Sequence, residues 1–266
     1  MSIQALIFDV DGTIADTEEA HRVAFNLAFE RYRLGWNWEP GEYRELLKVT
    51  GGKERITSYI ETLPIGEAER RRLGKLVPDI HAEKTRFYSA YVSDGTVPLR
   101  SGVVRLFDEA LGAGCKLAIA STTTAVNVDA LLQSTLGARG LDMFTVIACG
   151  DQVRHKKPAP DIYKLALHEL GIEPDHAVAF EDSANGLRSA LGAGLWTVVT
   201  PNFWTEDHNF DGASLLLPHL GDPAHPLRDE PGGRLRTRAW LTFEELAQRA
   251  PGSGAPTPPG PIERRP

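Results

Sequence analysis

The stretch "IFDVDGTIADTEEAH", residues 7 to 21, ends an apolar run in two carboxylates, Asp9 and Asp11. Two like charges this close raise each other's pKa and repel any anionic ligand, so a purely structural element gains nothing from them. Asp9, fixed at the end of a strand with Gly12 turning the chain away, has the makings of a nucleophile. Asp11, two residues on, is close enough to pass a proton to a leaving group. Helix capping is the plain alternative, but a cap needs one side chain and not two.

Three further stretches carry matching chemistry. "FEDS" adds Glu181 and Asp182 after another apolar run. Four carboxylates converging without a cation would cost far more than a domain's net stability, and a hard divalent ion such as Mg2+ resolves the conflict with oxygen ligands. In "RHKKPAPDIY" Lys157 directly precedes Pro158, which restricts its backbone and lets it act as a fixed ammonium; Lys156 is the alternative. "ASTTT" offers Ser121 and Thr122, where a hydroxyl and a backbone N–H can hold a phosphate oxygen. Together these residues match phosphoryl transfer through an aspartyl-phosphate: Asp9 attacks, Mg2+ and Lys157 neutralise oxygens, Asp11 moves the proton.

The elements that must position them follow from periodicity. "IQALIF" reads as a buried strand, followed by a helix from Asp16 or Thr17 to Tyr32. Residues 36 to 94 read as helices separated by Gly and Pro, including a break at Pro78 between "IGEAERRRLGKLV" and "DIHAEKTRFYSAYV". From 102 to 200 helices alternate with β-rich runs, the pattern of a parallel sheet covered on both faces. The fold class is therefore α/β: a Rossmann-like parallel sheet core with an inserted α-helical cap. The reading divides the chain into a core of 1–14 and 96–222, a cap of 15–95, an extension of 223–250 packing on the core, and a disordered Pro- and Gly-rich tail of 251–266. Thr13–Ala15 and Asp94–Pro98 are the natural hinges. Ligands of such sheets bind beyond the carboxyl ends of the strands, where Asp9, Ser121, Glu181 and Asp182 all fall.

The bulk numbers exclude other classes. A chain of 266 residues with 42% hydrophobic residues buries a core without disulfide help. A net charge of −7 without a dense basic run argues against nucleic acid, while leaving room for a small anionic substrate. Cys115 and Cys149 sit in apolar runs and read as buried thiols. With no leader and no membrane-length apolar stretch, the sequence reads as a cytoplasmic monomer acting on a small molecule.

The four motifs carry a resemblance. "DVDGT", "IAST", "KKPAPD" and "EDS", in this order over about residues 5 to 200, resemble the haloacid dehalogenase-like hydrolase superfamily. The resemblance implies that Asp9 is the nucleophile and Asp11 the general acid/base. It implies that Asp9, the backbone carbonyl of Asp11 and Asp182 bind Mg2+, assisted by Glu181. An aspartate two places after the nucleophile implies a phosphatase or phosphomutase. More narrowly, "DTEEAHRVAFN", "LLKVTGGKERI" and "HAEKT" look like CbbY-type proteins. That resemblance implies removal of phosphate from xylulose 1,5-bisphosphate, a misfire product that inhibits Rubisco in the Calvin cycle; beta-phosphoglucomutase is the near relative. Glu18 and His21, three apart on a helix, share a face and would meet substrate if that face looks into the crevice. Gly51, Gly52, Lys53 and Arg55 form a glycine turn into a helix, an anion site of the kind a second phosphate needs. Lys84 and Arg100 are further candidates for the same work. A phosphatase, a phosphomutase and a noncatalytic sugar-phosphate sensor remain the rival readings, the last disfavoured by the presence of Asp11.

Overall fold

The computed structural model of the protein describes residues 3–227, 235 and 239–251. Its strands are β1 (Ala5–Phe8), β2 (Lys116–Ala120), β3 (Phe144–Ala148), β4 (Ala177–Glu181), β5 (Trp196–Val199) and β6 (Leu215–Leu216). They form one parallel sheet in the order β3-β2-β1-β4-β5-β6, which puts β1 between β2 and β4. The register pairs Phe8 with both Ile119 and Phe180, so Asp9, Ser121 and Glu181 emerge at the same edge.

The two faces of the sheet are built differently. Leu6, Phe8, Leu117, Ile119, Val178 and Phe180 fill one face, with the Phe8 and Phe180 rings stacked at 4.2 Å. Helices α5 (Val103–Gly112) and α6 (Ala125–Leu136) cover it. The other face is lined by Ala5, Ala118, Ala120, Ala177 and Ala179, covered by α8 (Asp161–Leu170) and α9 (Ala184–Gly192). Alternation by one residue sends large and small side chains to opposite faces. The alanine face leaves room for Tyr163 of α8 to lie against the sheet and reach the end of β4. Thr124 and Ser183 cap α6 and α9 by accepting from Asn127 N and Gly186 N. A four-residue helix, α7 (Arg139–Asp142), joins α6 to β3.

Between β1 and α5 lie the helices α1 (Glu18–Arg31), α2 (Pro40–Leu46), α3 (Gly52–Thr62) and α4 (Glu67–Ser93), the predicted cap. They enclose their own core of Phe25, Phe29, Trp38, Tyr43, Ile56 and Ile80. The predicted break at Pro78 does not occur: α4 runs on through it for 27 residues. Leu73, Val77 and Ile80, then Lys84, Tyr88 and Val92, form one buried stripe spanning both sides of the proline. Continuous burial of that stripe outweighs the single hydrogen bond that proline removes. The residue one turn before Pro78 is Gly74, which leaves the crowded backbone without a side chain.

The two connections to the core run side by side, with Asp16 N donating to Pro98 O at 3.1 Å and Arg100 N to Ile14 O at 2.9 Å. Arg100, offered above as a substrate contact, instead fastens this junction. Its guanidinium donates to the carbonyls of Gly12, Thr200, Pro201 and Pro218. Within the predicted extension, α10 (Phe243–Arg249) packs near α5: Arg105 donates to Leu241 O at 2.7 Å and Phe243 N to Glu109 Oε2 at 2.8 Å. The predicted tail lies outside the described residues, Pro251 excepted. Cys115 and Cys149 are free and buried. Among the described residues, no helix is long and apolar enough to cross a membrane.

Candidate active site

One wall of the cleft is made by strand ends. Asp9 follows β1, Glu181 ends β4 and Asp182 follows it, and all three are buried. Lys157 Nζ donates to Asp9 Oδ1 and to Glu181 Oε1, each at 2.6 Å. Tyr163 OH donates to that same Glu181 oxygen at 2.6 Å. Asp182 Oδ2 accepts from Asn202 Nδ2 at 2.8 Å. Burial pushes the Asp9 carboxyl up to about 8, against the pull of Lys157 and with the push of Glu181 and Asp11. Burial, then Asp9 and Glu181, also hold the Asp182 carboxyl well above its ordinary range. Lys157 answers with an ammonium held above its usual range: burial opposes the charge, and Asp9 and Glu181 outweigh it.

The glycines here serve close approach. Gly12, at φ +78°, lies so near Asp182 and Asn202 that a Cβ would collide with both. Gly186 presses on the Glu181 carboxylate in the same way. These positions exclude any side chain that would push the acids apart.

The opposite wall belongs to the helical insertion. His21 of α1 places Nε2 2.8 Å from Asp11 Oδ1, and Thr17 Oγ1 donates to the same oxygen at 2.7 Å. Lys84 Nζ of α4 lies 2.6 Å from His21 Nδ1. With the lysine donating to Nδ1, His21 carries its hydrogen on Nε2 and donates it to Asp11. Burial would raise the Asp11 carboxyl, but His21 and Thr17 overcome it and bring it down to about 2. Burial lowers Lys84 to about 7, against the pull of Asp11. The His21 ring stacks on Tyr88 at 4.1 Å. Beside this set, Tyr43 OH donates to Glu18 Oε2 at 2.9 Å, and Arg55 NH1 donates to that hydroxyl at 3.1 Å. Gly51, at φ +97°, opens α3, and Gly52 sits against His81.

Every predicted site residue except Ser121, Lys53 and Arg100 lines this one cleft. Ser121 is buried just behind it: its N–H bonds Ala148 O, and its hydroxyl accepts from Thr123 N at 3.3 Å. Thr122 lines the cleft beside it. Lys53 points to Asp151 at 3.9 Å and is largely exposed. Lys156 pairs with Glu54 at 3.3 Å across the cleft mouth, so the lysine pair divides its work between the interior and the rim.

Sequence reasoning missed Tyr43, His81, Tyr163 and Asn202. Burial, then Lys84, Lys53 and Lys156, hold His81 down to about 3, so its ring is neutral amid cations. Asn202 had a signal, since it stands just past the end of β5 in "TPNFW", where the strand-end rule looks for ligand-binding groups. Tyr163 had none, because its role depends on the alanine face that admits it.

A divalent ion fits the acid cluster. Oxygens of Asp9, Glu181 and Asp182 lie within 4.8 Å of one another, all hard donors and all buried. Among the described residues, Glu181 Oε2 is buried with no hydrogen-bond partner.

Comparison with known proteins bears on the family and the fold. The family model for haloacid dehalogenase-like hydrolases matches residues 6–200. The chain is 49% identical to protein CbbY of Cupriavidus necator over 90% of this chain and 96% of that one. It is 32% identical to a fructose-1-phosphate phosphatase of Escherichia coli, covering 71% of this chain and 92% of that one. Among solved structures, CbbY from Rhodobacter sphaeroides in complex with xylulose-(1,5)bisphosphate superposes with a TM-score of 0.76 at 46% identity. That match covers 84% of this chain and 98% of the other. A beta-phosphoglucomutase from Clostridium difficile shares the fold, with a TM-score of 0.64 at 22% identity over 81% of this chain and 90% of that one.

Proposed function

The chain belongs to the haloacid dehalogenase-like hydrolase family, and from that premise we propose that it is a Mg2+-dependent phosphatase of xylulose 1,5-bisphosphate. The observation that carries the reading is a cleft with two unlike walls. One is an acid cluster around Lys157; the other presents Glu18, His21, Lys84 and Arg55 from helices. The first suits a reacting phosphoryl group and the second a polar sugar with further negative charge. The CbbY structure bound to xylulose-(1,5)bisphosphate supports the choice of sugar.

The residues divide the work. Asp9 forms the bond to phosphorus while the sugar oxygen leaves, giving an aspartyl-phosphate. Lys157, 2.6 Å from Asp9 Oδ1, neutralises charge on the transferring group. Asp11 passes a proton to the departing oxygen after taking one up from Lys84 through His21, and then, ionised again, takes one from the water that cleaves the acyl phosphate. As an ionised acceptor held by His21 and Thr17, Asp11 is in the form needed for the second half. Asp9 and Asp182, with Glu181 beside them and the Asp11 carbonyl nearby in sequence, would hold Mg2+. When bound, the ion supplies Lewis-acid charge neutralisation at phosphate oxygens. Glu18 accepts hydrogen bonds from sugar hydroxyls, and the Gly51–Gly52 turn with Arg55 and Lys84 receives the second phosphate. Closure of the helical cap over core 1–14 and 96–222, hinged at 13–15 and 94–98, excludes bulk water.

The test is a phosphate-release screen over sugar phosphates with and without Mg2+, including five-carbon ketose bisphosphates. We expect fastest release from xylulose 1,5-bisphosphate, dependent on the metal. Faster isomerisation of glucose 1-phosphate would replace this reading with that of a phosphomutase. Binding of sugar phosphates without turnover would leave a sensor.

A further inference from the structure

The segment that follows β5 touches both walls of the cleft. At its start, Asn202 Nδ2 donates to Asp182 Oδ2 at 2.8 Å and lies 3.3 Å from Gly12 O. The orientation of this amide is fixed by its other end: Asn202 Oδ1 accepts from Trp204 N at 2.8 Å, a contact only the oxygen can make. Thr205 Oγ1 accepts from Asn202 N at 3.1 Å and closes the turn. Arg100 clamps the segment's root through Thr200 O and Pro201 O.

Its far end meets the cap. The Trp204 ring packs edge-on against Tyr43 at 5.6 Å, and Tyr43 is the residue that donates to Glu18. Arg44 of α2 bonds Asp207 at 2.9 Å and lies over the Phe203 ring at 5.5 Å. Asn202 and Trp204 are two residues apart, joined by a backbone-to-side-chain hydrogen bond. A shift of the cap against Trp204 therefore pulls on the amide that holds Asp182.

We propose that Asn202 is a positioning residue that sets the Asp182 carboxylate and, through Trp204, couples its setting to closure of the cap. This rests on the reading of Asp182 as a metal-holding acid, and not on the identity of the sugar. Among the described residues, no other group donates a hydrogen bond to the Asp182 side chain. Removing an outer partner of a metal ligand typically weakens metal affinity by about 10- to 100-fold. Coupling between metal and cap is reciprocal: if closure sets the acid, a bound ion favours closure.

The experiment uses the full chain and Mn2+ as the probe, with no substrate present. Mn2+ affinity is measured by titration in an electron paramagnetic resonance spectrometer, and amide hydrogen exchange of α2 is followed with and without the ion. Wild type should bind Mn2+ and gain protection in α2. Asn202→Ala should bind about 10-fold more weakly or worse. Asn202→Ser, which keeps an acceptor for Trp204 N on a shorter side chain, should lose affinity equally. Trp204→Ala should lose the protection gained in α2 while losing less Mn2+ affinity than either Asn202 variant, because it breaks only the far link. A circular dichroism melt confirms that each variant is folded. Unchanged Mn2+ affinity in both Asn202 variants overturns the proposal while leaving the phosphatase reading intact. Protection of α2 in Trp204→Ala equal to wild type overturns the coupling. A wild-type protein that binds no Mn2+ removes both this inference and the metal-dependent function beneath it.

Discussion

The two walls of the cleft solve opposite electrostatic problems. The core wall gathers Asp9, Glu181 and Asp182 around one ammonium, Lys157, on rigid strand ends. The cap wall sets Glu18 among Lys84, Arg55 and His21 on helices. Burial drives the core acids Asp9 and Asp182 up and the cap cation Lys84 down, so both walls hold charge that the protein alone stabilises poorly. Each wall thus holds charge that a ligand of the opposite sign would relieve, which is the division proposed above between a divalent ion and an anionic sugar. If this division is real, core substitutions strike turnover and cap substitutions strike binding.

The largest effect belongs to Asp9. Asp9→Asn keeps an oxygen for Lys157 and removes the nucleophile, so turnover should fall by about four orders of magnitude or more. Its melting temperature should hold or rise, because the substitution removes a carboxyl that burial disfavours in charged form. Phosphate release and a thermal melt read both; retained turnover would break the assignment of roles. Next comes Lys157→Met, which leaves Asp9 and Glu181 buried without their common partner. Breaking a buried ion pair from one side costs about 3–5 kcal/mol, so this variant should lose stability as well as activity. Urea unfolding checks it, and a variant as stable as wild type would show that the acids do not depend on the lysine.

Across the cleft, Tyr43→Phe removes one hydroxyl that donates to Glu18 and accepts from Arg55. Leaving a buried partner unpaired costs about 1–3 kcal/mol, read here as a KM raised about tenfold with kcat within about threefold. A loss confined to kcat would erase the contrast between the walls.

The same contrast governs what the sequence makes legible. Core residues announce themselves because parallel strands end at one edge, and each acid follows an apolar run within a few residues: "LIFD" for Asp9, "VAFED" for Glu181 and Asp182. Cap residues do not. Glu18 and His21 are legible as a face of α1, but Tyr43 meets Glu18 from a different helix, 25 residues on, at a distance that only tertiary packing decides. The break expected at Pro78 failed for a similar reason: local propensity at one residue gave way to a buried stripe along the whole of α4. Arg100 stands where a cap rejoins a core, and position alone does not distinguish a ligand contact from a clamp on carbonyls.

The smallest effect is a matter of pH, and it isolates the cap wall. Lys84 is driven down to about 7 by burial in the native state, from an ordinary value of 10.5, with Asp11 pulling the other way. Between these values the unfolded chain holds a proton that the native chain has released, so native stability rises with pH across that window. Below about 7 both states carry the proton, and the buried ammonium burdens the fold at a constant level. Lys84→Met has no such group. The stability of wild type relative to Lys84→Met should therefore rise from pH 6.5 to pH 8.5, by about 1–2 kcal/mol, since one pH unit is worth at most about 1.4 kcal/mol per proton. Urea unfolding of the two proteins at both pH values gives the difference. A constant difference would mean that Lys84 stays protonated throughout, held by Asp11 through His21. The cap wall would then carry a fixed charge, which is what distinguishes the core wall at Lys157.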